Sequence, residues 1–193
     1  MIGYPNRKKA DANAARPVDY SNRGMPLEDD INATNAYYLD IDRAAVYKKP
    51  IPIRIVSVQY RTRQTAKITE AYYQTPSTTD YNGVYRGRYL DFEAKETHSR
   101  SSMPMKIIHP HQLEHLRRVI RYGGIAFLII RFVVLDETYY VPADSVLPEF
   151  DAGVKSLPHR WFTEHGRLIP YHYNIRVDYL SVIDEINMED KHQ

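Results

Sequence analysis

The segment Ile125-Ala-Phe-Leu-Ile-Ile-Arg-Phe-Val-Val-Leu135 constrains this chain more than any other stretch. It is apolar at every position except Arg131, so it has no polar face to offer water. At eleven residues it is far shorter than the roughly 20 needed to cross a bilayer. A run of this kind reads as a central strand buried on both faces, and such a strand needs helices packed above and below it. Around it the order of signals is helix, strands, helix, strand, which predicts an α/β fold: a mixed sheet flanked by helices. With 193 residues, 43% of them hydrophobic, the chain can build one domain with a sizeable core. The absence of cysteine excludes disulfides and thiolate metal sites and suits a reducing cytoplasm. No stretch has membrane-span length, and the polar N-terminus lacks the apolar core of a secretory signal.

Residues 1–22 are polar and poor in aliphatics, and read as a flexible tail ahead of a single domain, 23–193. Pro26 followed by Glu28, Asp29 and Asp30 suits the positive end of a helix. Apolar residues at helical spacing extend that helix to about Tyr47, and Lys49-Pro50 ends it. Ile53–Tyr60 and Ala66–Gln74 alternate and are rich in β-branched residues; with the charged turn between them they predict a hairpin, about 53–75, with a basic tip. Asp80-Tyr-Asn-Gly83 reads as a turn leading into a strand, Tyr85–Glu96. His111–Tyr122 reads as a helix stopped by Gly123-Gly124, Thr138–Val141 as a strand beside the apolar run, and Arg176–Met188 as a last helix. The stretch 143–170 reads as irregular.

The net charge of +2 conceals a segregated distribution. From Lys48 to Ile68 there are six basic residues, Lys48, Lys49, Arg54, Arg61, Arg63 and Lys67, and no acid. Between Thr97 and Tyr122 five Lys/Arg and four His face a single Glu114. Positive charge concentrated on parts of a near-neutral protein is expected of a polyanion binder, although a solvated face has the same composition.

The chemistry concentrates in Asp80-Tyr-Asn-Gly-Val-Tyr-Arg-Gly-Arg-Tyr-Leu-Asp-Phe-Glu93-Ala-Lys95. Strand side chains alternate, so Glu93 and Lys95 share a face and Ala94 takes the other. Asp80, across a turn from that strand, can lie beside Glu93. Two hard carboxylates can hold Mg²⁺, which polarises a phosphodiester and activates water. An ammonium beside them offsets their repulsion and can stabilise charge on phosphorus oxygens. A solvated strand face with an ordinary ion pair would carry the same Glu-x-Lys. His109, His111 and His115 invite a zinc reading, and His111 and His115, four apart, share a helix face, but HEXXH is absent and no third ligand is specified.

Asp-(x)12-Glu-x-Lys resembles the signature of the PD-(D/E)xK nuclease superfamily. The longer strings QTPSTTDYNGVYRGRYLDFEAKET, RGMPLEDDINATNAYY and YKKP resemble the RecU family of Holliday-junction resolvases, closely from Asn22 to Phe132 and by element order beyond. The resemblance implies a restriction-endonuclease-like sheet with a protruding basic hairpin stalk. It implies a homodimer acting as an endodeoxyribonuclease on symmetric strands of four-way junctions in recombination and repair, with Mg²⁺, or Mn²⁺ in its place, as cofactor. Asp80 and Glu93 match the family's metal-binding acids, Lys95 its transition-state stabiliser, and Thr78 and Gln112 further positions of the metal site. Arg63 matches a DNA-contacting arginine of the stalk; Lys48, Lys49, Arg61 and Lys67 are expected to follow phosphate beside it. Glu28 occupies the first helix, where many nucleases of the superfamily carry an accessory acid, although Asp29 and Asp30 compete and the helix dipole alone accounts for all three. A bacterial cytoplasm, with the gene chromosomal or phage-borne, and the strand-exchange recombinase as a second partner belong to the same implication. The other readings are a nuclease of the superfamily with another DNA target, or a non-catalytic DNA-binding regulator with vestigial carboxylates.

Overall fold

The computed structural model describes residues 26–60, 62, 64–74, 78–172 and 175–189. The tail 1–22 and the hairpin-tip residues Arg61 and Arg63 lie outside the described residues. Helix α1, Leu27–Asp40, has Glu28, Asp29 and Asp30 in its first turn and buries Leu27, Ile31, Thr34, Asn35 and Tyr38. It ends seven residues before the expected Tyr47. Asp42 takes a left-handed conformation (φ 53°), and Ala45–Lys48 is a strand, β1. The helical spacing continued by coincidence: Val46 is buried as a strand residue.

Strands β2 (Ile53–Gln59) and β3 (Lys67–Tyr73) form a separate two-stranded antiparallel sheet, exposed at every position. Strand β4 is Tyr81–Tyr85 and β5 is Arg88–Thr97. The expected turn at Asn82-Gly83 therefore lies inside a strand. The real turn is Arg86-Gly87, both with positive φ (48° and 75°), as a two-residue hairpin loop demands. Gly83 serves close approach instead: a Cβ there would fall 2.3 Å from the Ala45 carbonyl oxygen and 2.6 Å from the Val46 Cα.

A short strand β6 (Ser102–Pro104) precedes α2, Pro110–Arg121, which stops at Gly123 with φ 81°. The apolar run becomes β7, Ile125–Phe132; its last three residues, Val133–Leu135, form a 3₁₀ turn rather than more strand. β8 follows (Glu137–Pro142). The stretch expected to be irregular holds α3 (Ala143–Asp151), β9 (Ser156–Pro158), α4 (His159–His165) and β10 (Arg167–Leu168). Both helices begin directly after a proline, Pro142 and Pro158, and are too short to leave a periodic signature. Helix α5, Tyr179–Glu189, closes the described chain.

The main sheet has the order β1-β4-β5-β7-β8-β10. β5 and β7 run parallel, joined over one face by α2; the other neighbours are antiparallel. Alternation along β5 and β7 sorts the core into two. Leu90, Phe92, Phe127 and Ile129 pack against α1 and α5. Leu128 and Ile130 pack against α2, α3 and α4. Phe92 stacks between Tyr81 (4.8 Å between centroids) and Phe127 (4.6 Å), so truncating it to Ala would cost about 3–5 kcal/mol. The α1 side is locked by a buried ion cluster in which Asp30 receives Arg131 at 2.7 Å and Arg176 at 3.0 Å. Among the described residues no helix is long and apolar enough to cross a membrane.

Candidate active site

On β5 the residues Asp91, Glu93 and Lys95 point to the α2 side, opposite Leu90 and Phe92. The β4–β5 register pairs Tyr81 with Phe92, which sets Asp80, one residue before β4, across from Glu93. The Asp80 amide donates to Glu93 Oε2 at 3.0 Å. Lys95 Nζ lies 2.5 Å from Glu93 Oε1. The fold thus brings the predicted acid, acid and amine to one place, by strand pairing rather than by a turn at Asn82-Gly83.

Glu93 is fully buried, with the Lys95 ammonium against Oε1 and the Asp80 amide on Oε2. Burial pushes its pKa up, against the pull of the Lys95 ammonium and with a further push from Asp80, to about 7. The neighbouring Tyr81 phenol is also raised, first by burial and then by Glu28, Asp80, Asp29 and Glu93, so acids from α1 and from the β4–β5 pair act on one region. Glu28 itself is exposed and forms an ion pair with Lys48.

Two carboxylates brought together at a buried place and offset by a single ammonium suit a hard divalent cation. Among the described residues no three His, Asp or Glu side chains converge as a ready-made ligand set. Two carboxylates with the remaining positions left to water and phosphate oxygen is how Mg²⁺ is commonly held. The other two predicted metal positions have partners of their own. The Thr78 hydroxyl makes a long contact to the Thr79 carbonyl, 3.4 Å. Gln112 is buried, and its Oε1 accepts the His109 amide at 2.9 Å, closing the start of α2.

The sequence model of the family described as "Recombination protein U" matches residues 22–185. The chain belongs to the RecU family. Among its relatives in that family, one from Oceanobacillus iheyensis, named "Holliday junction resolvase RecU", is 50% identical over 96% of this chain and 99% of its own length. A Geobacillus kaustophilus protein of the same name is 48% identical over 96% of this chain and 97% of its own length. A solved structure, the Holliday junction resolvase Hjc of Archaeoglobus fulgidus, overlaps 76% of this chain and 96% of that chain at 13% identity and a TM-score of 0.46, too loose to assign the fold or the site.

The basic residues singled out in this RecU chain divide. Lys48 and Lys67 are exposed, the latter at the end of β3 in the hairpin. Lys49 turns inward: its Nζ donates to Asp91 Oδ2 at 2.7 Å and to Thr79 Oγ1 at 2.9 Å. Asp91, fully buried, also accepts the Tyr89 hydroxyl at 2.7 Å and the Thr79 hydroxyl, and His115 Nε2 lies 3.0 Å from Oδ2. Sequence reading passed over Asp91 and Thr79. The alternation that pairs Glu93 with Lys95 extends one step back to Asp91, which was the available signal.

Proposed function

We propose that this chain is a divalent-metal-dependent endodeoxyribonuclease that resolves four-way DNA junctions as a homodimer in the bacterial cytoplasm. Relatives matching nearly its whole length carry the resolvase name, which supports the substrate class. The observation that carries the catalytic part is the Glu93 carboxylate, fully buried and flanked by Asp80 and by the Lys95 ammonium.

Asp80 and Glu93 would hold Mg²⁺, or Mn²⁺ in its place. When bound, the cation would polarise the scissile phosphodiester and lower the pKa of the attacking water. The Asp80 amide holds Glu93 Oε2 and so fixes the direction of that carboxylate. Lys95 neutralises Glu93 and sets a compact positive charge where the phosphorus oxygens gain charge. Lys48, Arg61, Arg63 and Lys67 supply sequence-independent attraction to the phosphate backbone. The strand-exchange recombinase is a second proposed partner.

A junction-cleavage assay with and without Mg²⁺ tests this, comparing wild type with Asp80→Ala, Glu93→Ala and Lys95→Ala. Each substitution is expected to cost at least ~100-fold in rate while metal-free junction binding changes by no more than a few-fold. Wild-type cutting by Glu93→Ala, or cutting in excess chelator, would defeat the proposal; failure of wild type to cut junctions while it cuts duplex would redirect the substrate.

A further inference from the structure

Asp91 carries none of the chemistry above, yet it is fully buried and holds more partners than any acid of the metal site. Those partners come from four places: Lys49 after β1, Thr79 ahead of β4, Tyr89 on β5 itself, and His115 on α2. Thr79 and Lys49 both attach directly to Asp80. Thr79 precedes it in the chain, and its hydroxyl is shared between Asp91 Oδ1 and Lys49 Nζ. The Lys49 amide donates to the Asp80 carbonyl at 2.7 Å, and the Asp80 amide donates to Glu93 Oε2. The Asp80 peptide is therefore gripped from both sides, while Asp91 pins the segment that leads into it.

We propose that Asp91 is a positioning residue for the active site: with Lys49 and Thr79 it forms a buried clamp that fixes the Asp80 peptide against Glu93. The proposal rests on the reading of Asp80 and Glu93 as metal-holding acids. It gives Lys49 a role distinct from that of Lys48, its neighbour. The β4–β5 pairing stops at Tyr81, so the Lys49 amide is the main-chain hold on Asp80 and nothing in the strand pairing fixes the direction of its side chain. The clamp supplies the missing restraint through side chains. Misplacing a ligand by about 1 Å can cost on the order of 100-fold in rate.

The test uses the full-length protein and a synthetic four-way junction. Three quantities are measured: the single-turnover cleavage rate at saturating enzyme, junction Kd without metal, and Mn²⁺ affinity by calorimetry. Thr79→Val removes the hydroxyl and keeps the shape; Thr79→Ser keeps the hydroxyl. Thr79→Val is expected to lower the saturating rate ~10- to 100-fold and to weaken Mn²⁺ binding, with junction Kd within about twofold of wild type. Thr79→Ser is expected to behave as wild type. Lys49→Met should match Thr79→Val, and the double variant should be no worse than the poorer single one, because both remove one linkage. Asp91→Asn leaves Lys49 without its counter-charge and can cost folding, so the Thr79 pair decides the matter. Thr79→Val cutting at the wild-type rate overturns the clamp. So does Lys49→Met losing junction affinity with its saturating rate intact, since Lys49 is then a backbone contact. If wild type binds Mn²⁺ but cuts no junction, the resolvase reading fails separately. The clamp then stands or falls on whether Thr79→Val weakens Mn²⁺ binding.

Discussion

Burial acts on Glu93 against its charge: desolvation is the largest influence on its carboxyl, and the Lys95 ammonium offsets it incompletely, leaving the pKa at about 7. The folded state therefore holds a proton that the unfolded chain, near the ordinary value of 4.5, has already released. Stability contributed by that proton is complete below pH 4.5 and is lost as pH rises through about 7. Glu93→Gln removes the ionisation. In metal-free buffer at pH 8 the variant should be more stable than wild type by about 1–3 kcal/mol, less than the full shift implies because Lys95 loses its counter-ion. The gap should close by pH 4.5. Adding Mg²⁺ should reverse the order, since wild type alone would gain from binding it. Chemical melts of both proteins in chelator at pH 5 and 8 check this, and a variant no more stable than wild type at pH 8 removes the argument. How legible such residues were depended on how few facts each required. That Glu93 and Lys95 share a face needed only the period of a strand; their roles came from the family resemblance. Thr79 was illegible because its role needs Lys49 and Asp91, 30 and 12 residues away, to arrive at the same point.

Among elements, the least legible boundaries are those decided by a neighbour outside the window being read. Asn82-Gly83 carries turn chemistry, but the glycine is required by β1 crossing within 2.6 Å of where its Cβ would be, and nothing local announces β1. Gly83→Ala is accordingly expected to push β1 from the sheet, lowering stability by about 2–3 kcal/mol. Because Lys49 follows β1, cleavage should fall further than stability alone explains; denaturant melts beside single-turnover rates separate the two. Elements whose cause is local were legible: α2 with its glycine stop, β7 from its apolar run, and the β2–β3 hairpin from its alternation. That hairpin is exposed along both strands, and its base is closed by the Gln74 amide on the Pro52 carbonyl at 2.9 Å. Deleting 53–73 and bridging Pro52 to Gln74 with a glycine should change folding stability by no more than ~1 kcal/mol, since the hairpin buries no core of its own. Junction affinity should drop, and its salt dependence should flatten by about one unit of slope for each phosphate that the hairpin neutralises in the intact protein. An unaltered salt slope would show that the hairpin does not touch DNA.

For the whole molecule, the decisive fact is that Asp80, Glu93, Lys95 and the Asp91 cluster come together within one chain, from β5, the segments flanking β1 and β4, and α2. On the proposed dimer, neither active site borrows a residue of this set from its partner. A two-fold assembly facing a two-fold substrate then presents two self-sufficient centres, one to each of a symmetric pair of strands. A heterodimer of wild type with Lys95→Ala should therefore cut one strand at close to the wild-type rate per site and leave a nicked junction, unresolved. Such heterodimers can be made by co-expressing differently tagged chains and purifying through both tags. Denaturing gels of a junction labelled on each strand in turn would count the cuts. A heterodimer that resolves junctions fully would mean that one centre serves both strands; one that cuts neither strand would mean that the centres are composite or conformationally obligate. The nicked product alone agrees with a dimer whose subunits share the DNA but not the chemistry, which is the division of labour that strands β4 and β5 of a single protomer already define.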